Sequence, residues 1–442
     1  MKTVDQIIHG KWVITCENSQ VLEDHALIIE KNKILDILPS QDVAAKYTAP
    51  FIENFDTHAI TPGFINTHMH IGMNFFRGLA DDLALMDWLN NHIWPAERAF
   101  VAHEFVYDAS LIAAAEMIRS GTTCFNEMYF FLSATAQAAD KAGLRGHIGI
   151  TVIDFPTAWA QSKQEYIDKG LEFHHEYKHH ELITSTFAPH AIYTVAEDTL
   201  TTVRDLAEEH DLKINMHIQE TADEINQSIS QTQKRPIRRL HDIGFITPRL
   251  IAVHMTQINE EDIELLQQGK PQIVHCPESN MKLASGTCPV TILKAAGLNV
   301  SLGTDGVASN NDLDMISEMR TASFLAKLST QNPQALNATE TLELATINGA
   351  KTLGIDHITG SLKPGKAADF IAIDLDELET QPLYNPISQI VYSSSRHQVT
   401  DVWVAGKRLL KNRELLTLDE QELKAKAKFW QKKMANRGGT VC

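Results

Sequence analysis

Short hydrophobic runs recur through the middle of the chain, separated by stretches whose apolar residues follow helical spacing, as in residues 106–119 and 197–210. A buried strand followed by a helix is a βα unit, and eight such units predict an α/β fold, a (β/α)8 TIM-type barrel. The alternative is an open doubly wound sheet, but no G-x-G-x-x-G turn follows the first run. The predicted barrel strands are residues 60–70, 122–129, 146–155, 183–190, 213–220, 250–256, 272–279 and 299–306.

Both ends of the chain show a different pattern, in which hydrophobic runs are split by turn-like polar residues. We therefore predict a small β-sandwich domain assembled from residues 1–58 and 365–442, with a C-terminal helix near residues 421–436. Residues 59–364 would then form the catalytic barrel domain. The terminal runs that predict strands are residues 6–14, 26–34, 368–374 and 399–407.

Composition narrows the class of protein. The chain has 442 residues, 43% of them hydrophobic, which is enough for a large core. Its net charge of -17 argues against a nucleic-acid partner, because phosphate binding requires clustered Lys and Arg. The cysteines are widely scattered without a C-x-x-C motif, which is typical of a reducing compartment. They are Cys16, Cys124, Cys276, Cys288 and Cys442.

Two further observations concern location. The N-terminal residues 1–15 contain no long apolar core of the kind found in secretory signals. The most apolar helical stretch, residues 111–118, is interrupted by Glu116 and is too short to span a bilayer. We therefore expect a cytoplasmic protein without a membrane partner.

Titratable side chains stand at the C-terminal ends of most predicted barrel strands. In a (β/α)8 barrel these ends meet at one face, where catalytic groups lie. The first strand ends in His68 and His70, which share a face because strand side chains alternate. Such a pair alone is more typical of histidines satisfied within a core, but the whole set is hard to explain by packing. The set is His68, His70, His190, His217, Glu220, His254, His275 and Asp305.

Four of these groups form a candidate metal site. Three imidazoles and one carboxylate suit Zn²⁺, with Fe²⁺ as the second choice, and leave one position open for water. Zinc would lower the pKa of that water toward neutrality, so that hydroxide becomes the nucleophile. The candidate ligands are His68, His70, His217 and Asp305.

Two other groups are candidate catalytic residues. Glu220 follows His217 closely, and a carboxylate beside the metal can carry a proton from water to a ring nitrogen of the substrate. Its alternative is a solvated glutamate at a helix start. His254 would orient the hydroxide, or would be a metal ligand if the site held two metals.

Five motifs of this chain resemble those of the amidohydrolase superfamily, and more narrowly its aminohydrolases that act on purines and triazines. In related barrels a second metal is bridged by a carbamylated lysine at the end of the fourth strand. Residues 184–193 contain no lysine, which favours one zinc ion per subunit. The motifs are PGFINTHMH (62–70), HIQE (217–220), CPESNMKL (276–283), GTDGVASNN (303–311) and GSLKPGKAADF (360–370).

The segment RGLADD (77–82), with Trp88 and Pro95 behind it, is similar to the 5′-methylthioadenosine/S-adenosylhomocysteine deaminases. By this resemblance Trp88 lines the nucleoside site, and Glu97 and His190 hold the ribose hydroxyls. A carboxylate suits a vicinal diol because it accepts two hydrogen bonds, although Glu97 could also be a helix-start carboxylate after Pro95. The implied substrate-binding residues are Trp88, Glu97, His190, Glu220, Asp305 and Ser309.

The resemblance implies hydrolytic deamination of 5′-methylthioadenosine, and also of S-adenosylhomocysteine or adenosine, to the inosine-type nucleoside and ammonia. Glu220 would protonate N1 of the ring, and Asp305 would relay a proton to the leaving ammonia. Family members that bind the S-adenosylhomocysteine tail use arginines near the third strand. Arg145 could be one, but residues 156–166 are apolar around Trp159, which favours 5′-methylthioadenosine.

Several alternatives stay open. The same chemistry could act on guanine, 8-oxoguanine or a chlorotriazine, and a catalytically silent member of the fold is a remote alternative. Zinc deaminases of nucleic-acid bases carry H-x-E with P-C-x-x-C, and this chain lacks that pair of motifs. The expected partner is a small purine nucleoside. We also expect a homo-oligomer, and a mobile cover formed by residues 81–91.

Overall fold

The computed structural model describes residues 1–18 and 20–437. Its centre is a sheet of eight parallel strands that follow one another in chain order. The first and eighth strands approach each other, since Asp305 N donates to His68 O at 3.0 Å. The predicted (β/α)8 barrel is therefore confirmed. Its strands are Phe64–Met69, Thr122–Glu127, Arg145–Val152, Ile183–Pro189, Ile214–Ile218, Leu250–His254, Gln272–His275 and Val300–Leu302.

Helices alternate with these strands and bury one apolar face on them. In helix Glu197–Glu209, for example, Leu200, Val203 and Ala207 recur at helical spacing and are all buried. The helices that follow the second to eighth strands are Leu132–Ala142, Lys163–Tyr177, Glu197–Glu209, Ala222–Thr232, Pro236–Asp242, Glu260–Gly269, Pro277–Lys282, Val290–Ala295, Met315–Thr330, Ala338–Leu344 and Ile347–Leu353.

The connection after the first strand is longer and more irregular, and we call its residues 71–100 the cap segment. Its final helical stretch contains a π-turn, Leu89–Ile93, immediately before Pro95. A proline inside a helix removes one backbone donor, and the wider π-turn accommodates that loss. Glu97 therefore lies inside a continuous helical stretch. The helices are Ile71–Phe76, Leu85–Trp88, Leu89–Ile93 and Trp94–Phe100, and helix His103–Arg119 then leads to the second strand.

Strands from both termini form a second sheet, as predicted. The strand before the barrel pairs in parallel with an N-terminal strand and antiparallel with a C-terminal one, which joins the two ends of the chain. In spatial order the strands are Glu414–Leu415, Lys407–Lys411, Val399–Val404, Phe370–Asp374, Phe51–Pro62, Gln6–Ile14, Val21–Glu30 and Lys33–Pro39. The pair Lys2–Thr3 and Tyr47–Thr48 forms a small separate sheet.

The remaining helices belong to the terminal regions. Helix Glu420–Arg437 confirms the predicted C-terminal helix but packs on the barrel, where Trp430 Nε1 donates to Asp108 Oδ2 at 2.9 Å. The domain limits at residues 58/59 and 364/365 stay a prediction. The other helices are Ser40–Lys46, Leu378–Thr380, Pro386–Tyr392 and Arg396–Gln398.

Two findings bear on location. Among residues 1–18 and 20–437, no helix is both long enough and apolar enough to cross a membrane. Cys16, Cys124, Cys276 and Cys288 are buried free thiols, and Cys442 lies outside the described residues.

Candidate active site

The four predicted metal ligands converge at the C-terminal face of the barrel. One ligand atom from each of His68, His70, His217 and Asp305 lies within 4.8 Å of the others. Nε2 of His217 is 3.0 Å from Nε2 of His68, and Nε2 of His70 is 3.1 Å from Asp305 Oδ1. Ligand atoms around tetrahedral zinc are about 3.3 Å apart for bonds of about 2.0 Å, so this arrangement fits one zinc ion.

Contacts on the far side of two rings favour the same interpretation. His70 Nδ1 lies 2.6 Å from the carbonyl oxygen of Met128, which can only accept, so Nδ1 donates and Nε2 is the ring atom that faces Asp305 and the candidate metal position. The side-chain amide of Asn215 lies 3.2 Å from His68 Nδ1, and Asn215 Oδ1 has no other partner among the described residues. With that oxygen turned to the ring, Asn215 accepts from His68 Nδ1 and frees Nε2.

Asp305 is held as an ionised carboxylate. Burial raises its pKa, but hydrogen bonds with His68 and His70 outweigh burial and hold the pKa well below the usual value. Its Oδ2 accepts from Ser279 at 2.7 Å and from Ser309 at 3.0 Å. Ser279 was not predicted, although it belongs to a quoted motif, because a serine after a strand end has no distinctive spacing.

The backbone is strained at three strand ends that build the site. Gln219, His254 and Asp305 have φ values of 51°, 75° and 61°, a left-handed conformation that non-glycine residues rarely adopt. Such strain persists only where the surrounding structure enforces it, and it is concentrated at functional sites. Here the left-handed conformation turns the backbone sharply at each of the three strand ends, over the mouth of the barrel.

Glu220 is buried beside the metal ligands. Burial and the nearby Asp305 raise its pKa to about 8, so the carboxyl is largely protonated at neutral pH. Its Oε1 accepts from Ser285 Oγ at 3.3 Å. The alternative of a solvated helix-start glutamate is wrong, because Glu220 is 7% exposed and precedes the helix N-cap Thr221.

Glu224 was not predicted and holds the turn that carries Glu220. Its carboxylate accepts from the backbone N–H of Gln219 at 2.9 Å and of Glu220 at 2.8 Å. A glutamate in a first helical turn is common, so spacing alone would not have marked it.

His254 faces Glu220 across the site, with Nε2 3.8 Å from Glu220 Oε2. Burial lowers its pKa to about 4, so the ring is neutral at neutral pH. Nδ1 lies 3.0 Å from the side-chain amide of Asn280, which fixes the ring orientation.

One cavity covers these groups and reaches the cap segment. Trp88, Glu97, His190 and Ser309 all line it, together with the catalytic candidates and every metal ligand except His68, which lies deeper. His275 is also at a strand end, but it is buried and does not line the cavity.

Two residues on the cavity wall are oriented by hydrogen bonds. His190 Nδ1 lies 2.9 Å from Thr194 Oγ1, whose own proton goes to Ala191 O, so His190 donates from Nδ1 and presents Nε2 elsewhere. Glu97 Oε1 accepts from the hydroxyl of Tyr129 at 2.7 Å, and burial raises the pKa of Glu97 to about 7. Tyr129 was not predicted, although its place just after the second strand could have marked it.

Arg145, considered as a contact for the substrate tail, is at the wrong end of the barrel. It begins the third strand, and its guanidinium donates to Asp369 at 2.6 Å. The first residue of a barrel strand lies at the N-terminal face of the barrel, opposite the cavity. Arg145 is therefore a structural ion-pair partner of Asp369.

The chain resembles several characterised proteins over nearly its whole length. It is 44% identical over 433 residues to the 5-methylthioadenosine/S-adenosylhomocysteine deaminase of Teredinibacter turnerae, covering 98% of each chain. It is 39% identical over 423 residues to the 5′-deoxyadenosine deaminase of Methanosarcina mazei, covering 95% of this chain and 96% of that one.

Solved structures also resemble this chain over nearly its whole length. An adenosine deaminase of Xanthomonas campestris with bound zinc superposes with a TM-score of 0.97 at 45% identity, covering 98% of this chain and 99% of its own. A guanine deaminase of C. acetobutylicum shares the fold with a TM-score of 0.81 at 21% identity, over 91% of this chain and 99% of its own. The amidohydrolase family matches residues 59–409. The chain belongs to the amidohydrolase family.

Proposed function

We propose that this protein is a zinc-dependent aminohydrolase that replaces the 6-amino group of an adenosine-type nucleoside with oxygen and releases ammonia. The observation that carries the proposal is the position of buried Glu220 beside a three-histidine, one-carboxylate set in a cavity that also holds Glu97. The relatives named above, which act on adenosine derivatives according to their names, support this substrate class.

The proposed metal ligands are His68, His70, His217 and Asp305. Zinc bound there would supply Lewis acidity and lower the pKa of the hydrolytic water. Burial lowers the pKa of His68 to about 4. Burial, together with neighbouring histidines, lowers the pKa of His217 well below its usual value. Both rings therefore offer lone pairs at neutral pH.

Three side chains would handle protons and water during the reaction. Glu220, with its proton held at neutral pH, delivers that proton to N1 of the purine as water attacks C6. Neutral His254 orients the attacking water from the opposite side. Asp305, held by Ser279 and Ser309, takes a proton from the attacking water and passes it to the departing amino group, which leaves as ammonia. Glu220 then recovers a proton from the hydroxyl group left on C6.

The cap segment would bind the nucleoside. Trp88 is buried and lines the cavity, where its indole could stack on the base. Glu97 and His190 would accept or donate hydrogen bonds to the ribose hydroxyls, and Ser309 lies where the ring edge would approach Asp305.

The 5′ substituent would enter a neighbouring cavity of about 260 Å³ beyond Glu97. This second cavity shares Glu97 with the first and is largely walled by apolar side chains, with Arg98 at its exposed rim. An apolar wall suits a methylthio group better than a zwitterionic amino-acid tail. We therefore propose 5′-methylthioadenosine as the preferred substrate. The aromatic lining residues are Trp94, Phe130 and Phe155.

The test is a panel of nucleosides and bases scored by ammonia release from the zinc-loaded enzyme. We expect the highest kcat/KM for 5′-methylthioadenosine, followed by 5′-deoxyadenosine, adenosine and S-adenosylhomocysteine. Higher activity on guanine, 8-oxoguanine or a chlorotriazine would refute the substrate class. A preference for S-adenosylhomocysteine that disappears in Arg98→Ala would refute only the assignment of the 5′ cavity.

We also infer that the protein works in the cytoplasm as a homo-oligomer. Its buried free thiols suit a reducing compartment, and Phe324 and Leu328 are more than half exposed on one helix. Light scattering of the purified enzyme tests the assembly: a monomer at all concentrations would refute it.

A further inference from the structure

Tyr129 connects the rigid barrel to the cap segment. It lies just after the second barrel strand, Thr122–Glu127, and is 5% exposed. Its hydroxyl donates to Glu97 Oε1 at 2.7 Å, across the cavity wall. The ring is thus a rigid link between a strand end and a helix of the cap segment.

Tyr129 itself is held by the barrel. Thr151 Oγ1, on the third strand, donates to the Tyr129 carbonyl oxygen at 2.7 Å. One ring edge lies against Gly72, where an added Cβ would stand 2.3 Å from Tyr129 Cδ1. Only glycine, which has no Cβ, allows the ring to lie this close to the backbone, so the position of the ring depends on Gly72.

Glu97 depends on Tyr129 for its orientation. Among the described residues, the Tyr129 hydroxyl is the side-chain group that donates to the Glu97 carboxylate. A carboxylate has about four acceptor positions, so this bond occupies one and leaves the others for two hydroxyl groups of a ligand. Without it the carboxylate could rotate about its terminal torsion, and a diol would lose its second hydrogen bond.

We propose that Tyr129 is a positioning residue for recognition of a vicinal diol, which it serves by fixing the Glu97 carboxylate. It thereby sets the preference of the enzyme for ribonucleosides over nucleosides without the 2′ and 3′ hydroxyls. The inference rests on the proposed function, because it assumes that Glu97 binds the ribose.

The experiment compares adenosine with 2′,3′-dideoxyadenosine as substrates of the zinc-loaded enzyme and of Tyr129→Phe. We expect a fall of about tenfold or more in kcat/KM for adenosine, mainly through KM, because a hydrogen bond to a charged group is lost. For 2′,3′-dideoxyadenosine we expect less than a twofold change. An equal fall for both substrates would overturn the inference.

Tyr166→Phe is the matched control. The Tyr166 side chain is also buried, but its hydroxyl donates to Thr157 Oγ1 at 2.6 Å and to Phe155 O at 3.3 Å instead of to Glu97. It should change both substrates equally or not at all. Gly72→Ala is the second variant: it keeps the Tyr129 hydroxyl but displaces the ring, so it should reproduce the selective loss for adenosine. A Gly72→Ala enzyme with unchanged discrimination would count against the inference even if Tyr129→Phe folded poorly.

Glu97→Gln separates this inference from the proposed function. If Glu97→Gln leaves the preference for adenosine over its dideoxy analogue unchanged, Glu97 does not bind the diol, and that part of the proposed function fails. If Glu97→Gln removes the preference while Tyr129→Phe retains it, only the role of Tyr129 is refuted.

Discussion

The metal-ligand cluster and the cap segment face the same cavity but are built in different ways. The four ligands come from strand ends of the barrel, where parallel pairing fixes each backbone. The cap segment is a run of short helices joined to the barrel through individual side chains. These include the pair between Asp81 and Lys282 at 2.6 Å and the bond between Tyr129 and Glu97.

The metal-ligand cluster and the ion pair that holds the cap segment at the mouth also differ in solvation. His68 and Asp305 are at most 5% exposed, whereas Asp81 and Lys282 lie near the surface at the mouth of the barrel. Buried charged contacts are strong and geometrically demanding, while exposed ion pairs contribute about 1 kcal/mol or less. With the proposed site residues, the rigid metal-ligand cluster would set the type of reaction and the adjustable cap segment would set the choice of nucleoside.

Removal of the metal gives the largest expected effect and tests this division directly. Dialysis against a chelator should abolish ammonia release, and one equivalent of Zn²⁺ should restore it. Because the cap segment does not hold the metal, the apoenzyme should still bind 5′-methylthioadenosine by isothermal titration. Full activity at a metal content below one tenth of an ion per subunit would show that the metal-ligand cluster does not determine the reaction.

The Glu220→Gln substitution should have the second largest effect on activity. The variant keeps the shape and hydrogen bonding of the side chain but cannot carry a proton, so kcat should fall by roughly a thousandfold. Zinc content by elemental analysis and KM should stay near the wild-type values. Near-normal turnover would contradict the role proposed for Glu220.

The pH dependence of KM should distinguish the cap segment from the metal site. Burial raises the pKa of Glu97 to about 7, so its carboxylate is ionised above that pH and protonated below it. Affinity for a ribonucleoside should therefore be full above pH 7 and fall several-fold as pH decreases through that value. The KM for 2′,3′-dideoxyadenosine should not follow this change, and a parallel change for both would assign the titration elsewhere.

Loss of the contact at the mouth should have the smallest effect. Lys282 pairs with Asp81 of the cap segment and also donates to Asn311, so Lys282→Met should loosen the segment and raise KM about two- to fivefold. Lys294→Met is the matched control, because its pair with Glu340 at 2.7 Å lies outside the cavity lining. Equal KM values for the two variants would show that the ion pair between Asp81 and Lys282 has no role in substrate binding.

Much of this site follows from residue order alone. The rule that catalytic groups stand at the ends of barrel strands reduces the candidates to eight titratable residues. His68, His70, His217 and Asp305 are the four of these whose ligand types suit one zinc ion. The structure brings these four together in one cluster. The same rule explains why Arg145, which was weighed as a contact for the substrate tail, does not reach the cavity: it begins a strand and lies at the other face.

The residues that position other residues of the site were not predicted from the sequence. Tyr129, Ser279 and Glu224 contact Glu97, Asp305 and Glu220 through hydrogen bonds, and none of the three has a characteristic spacing. Their roles depend on distances between segments that are far apart in the chain. The left-handed backbone at His254 and Asp305 is equally invisible, because neither residue type requires it.

The alternation of strands and helices and the polar residues at strand ends are local properties, and they predict the barrel and the metal ligands. Which carboxylates are buried, and how their protons are held, depends on the surrounding packing. Burial raises the pKa of Glu220 to about 8 and that of Glu97 to about 7, although both are ordinary glutamates in the sequence. Desolvation arises only when distant segments close around a group, and therefore only the tertiary structure sets these protonation states.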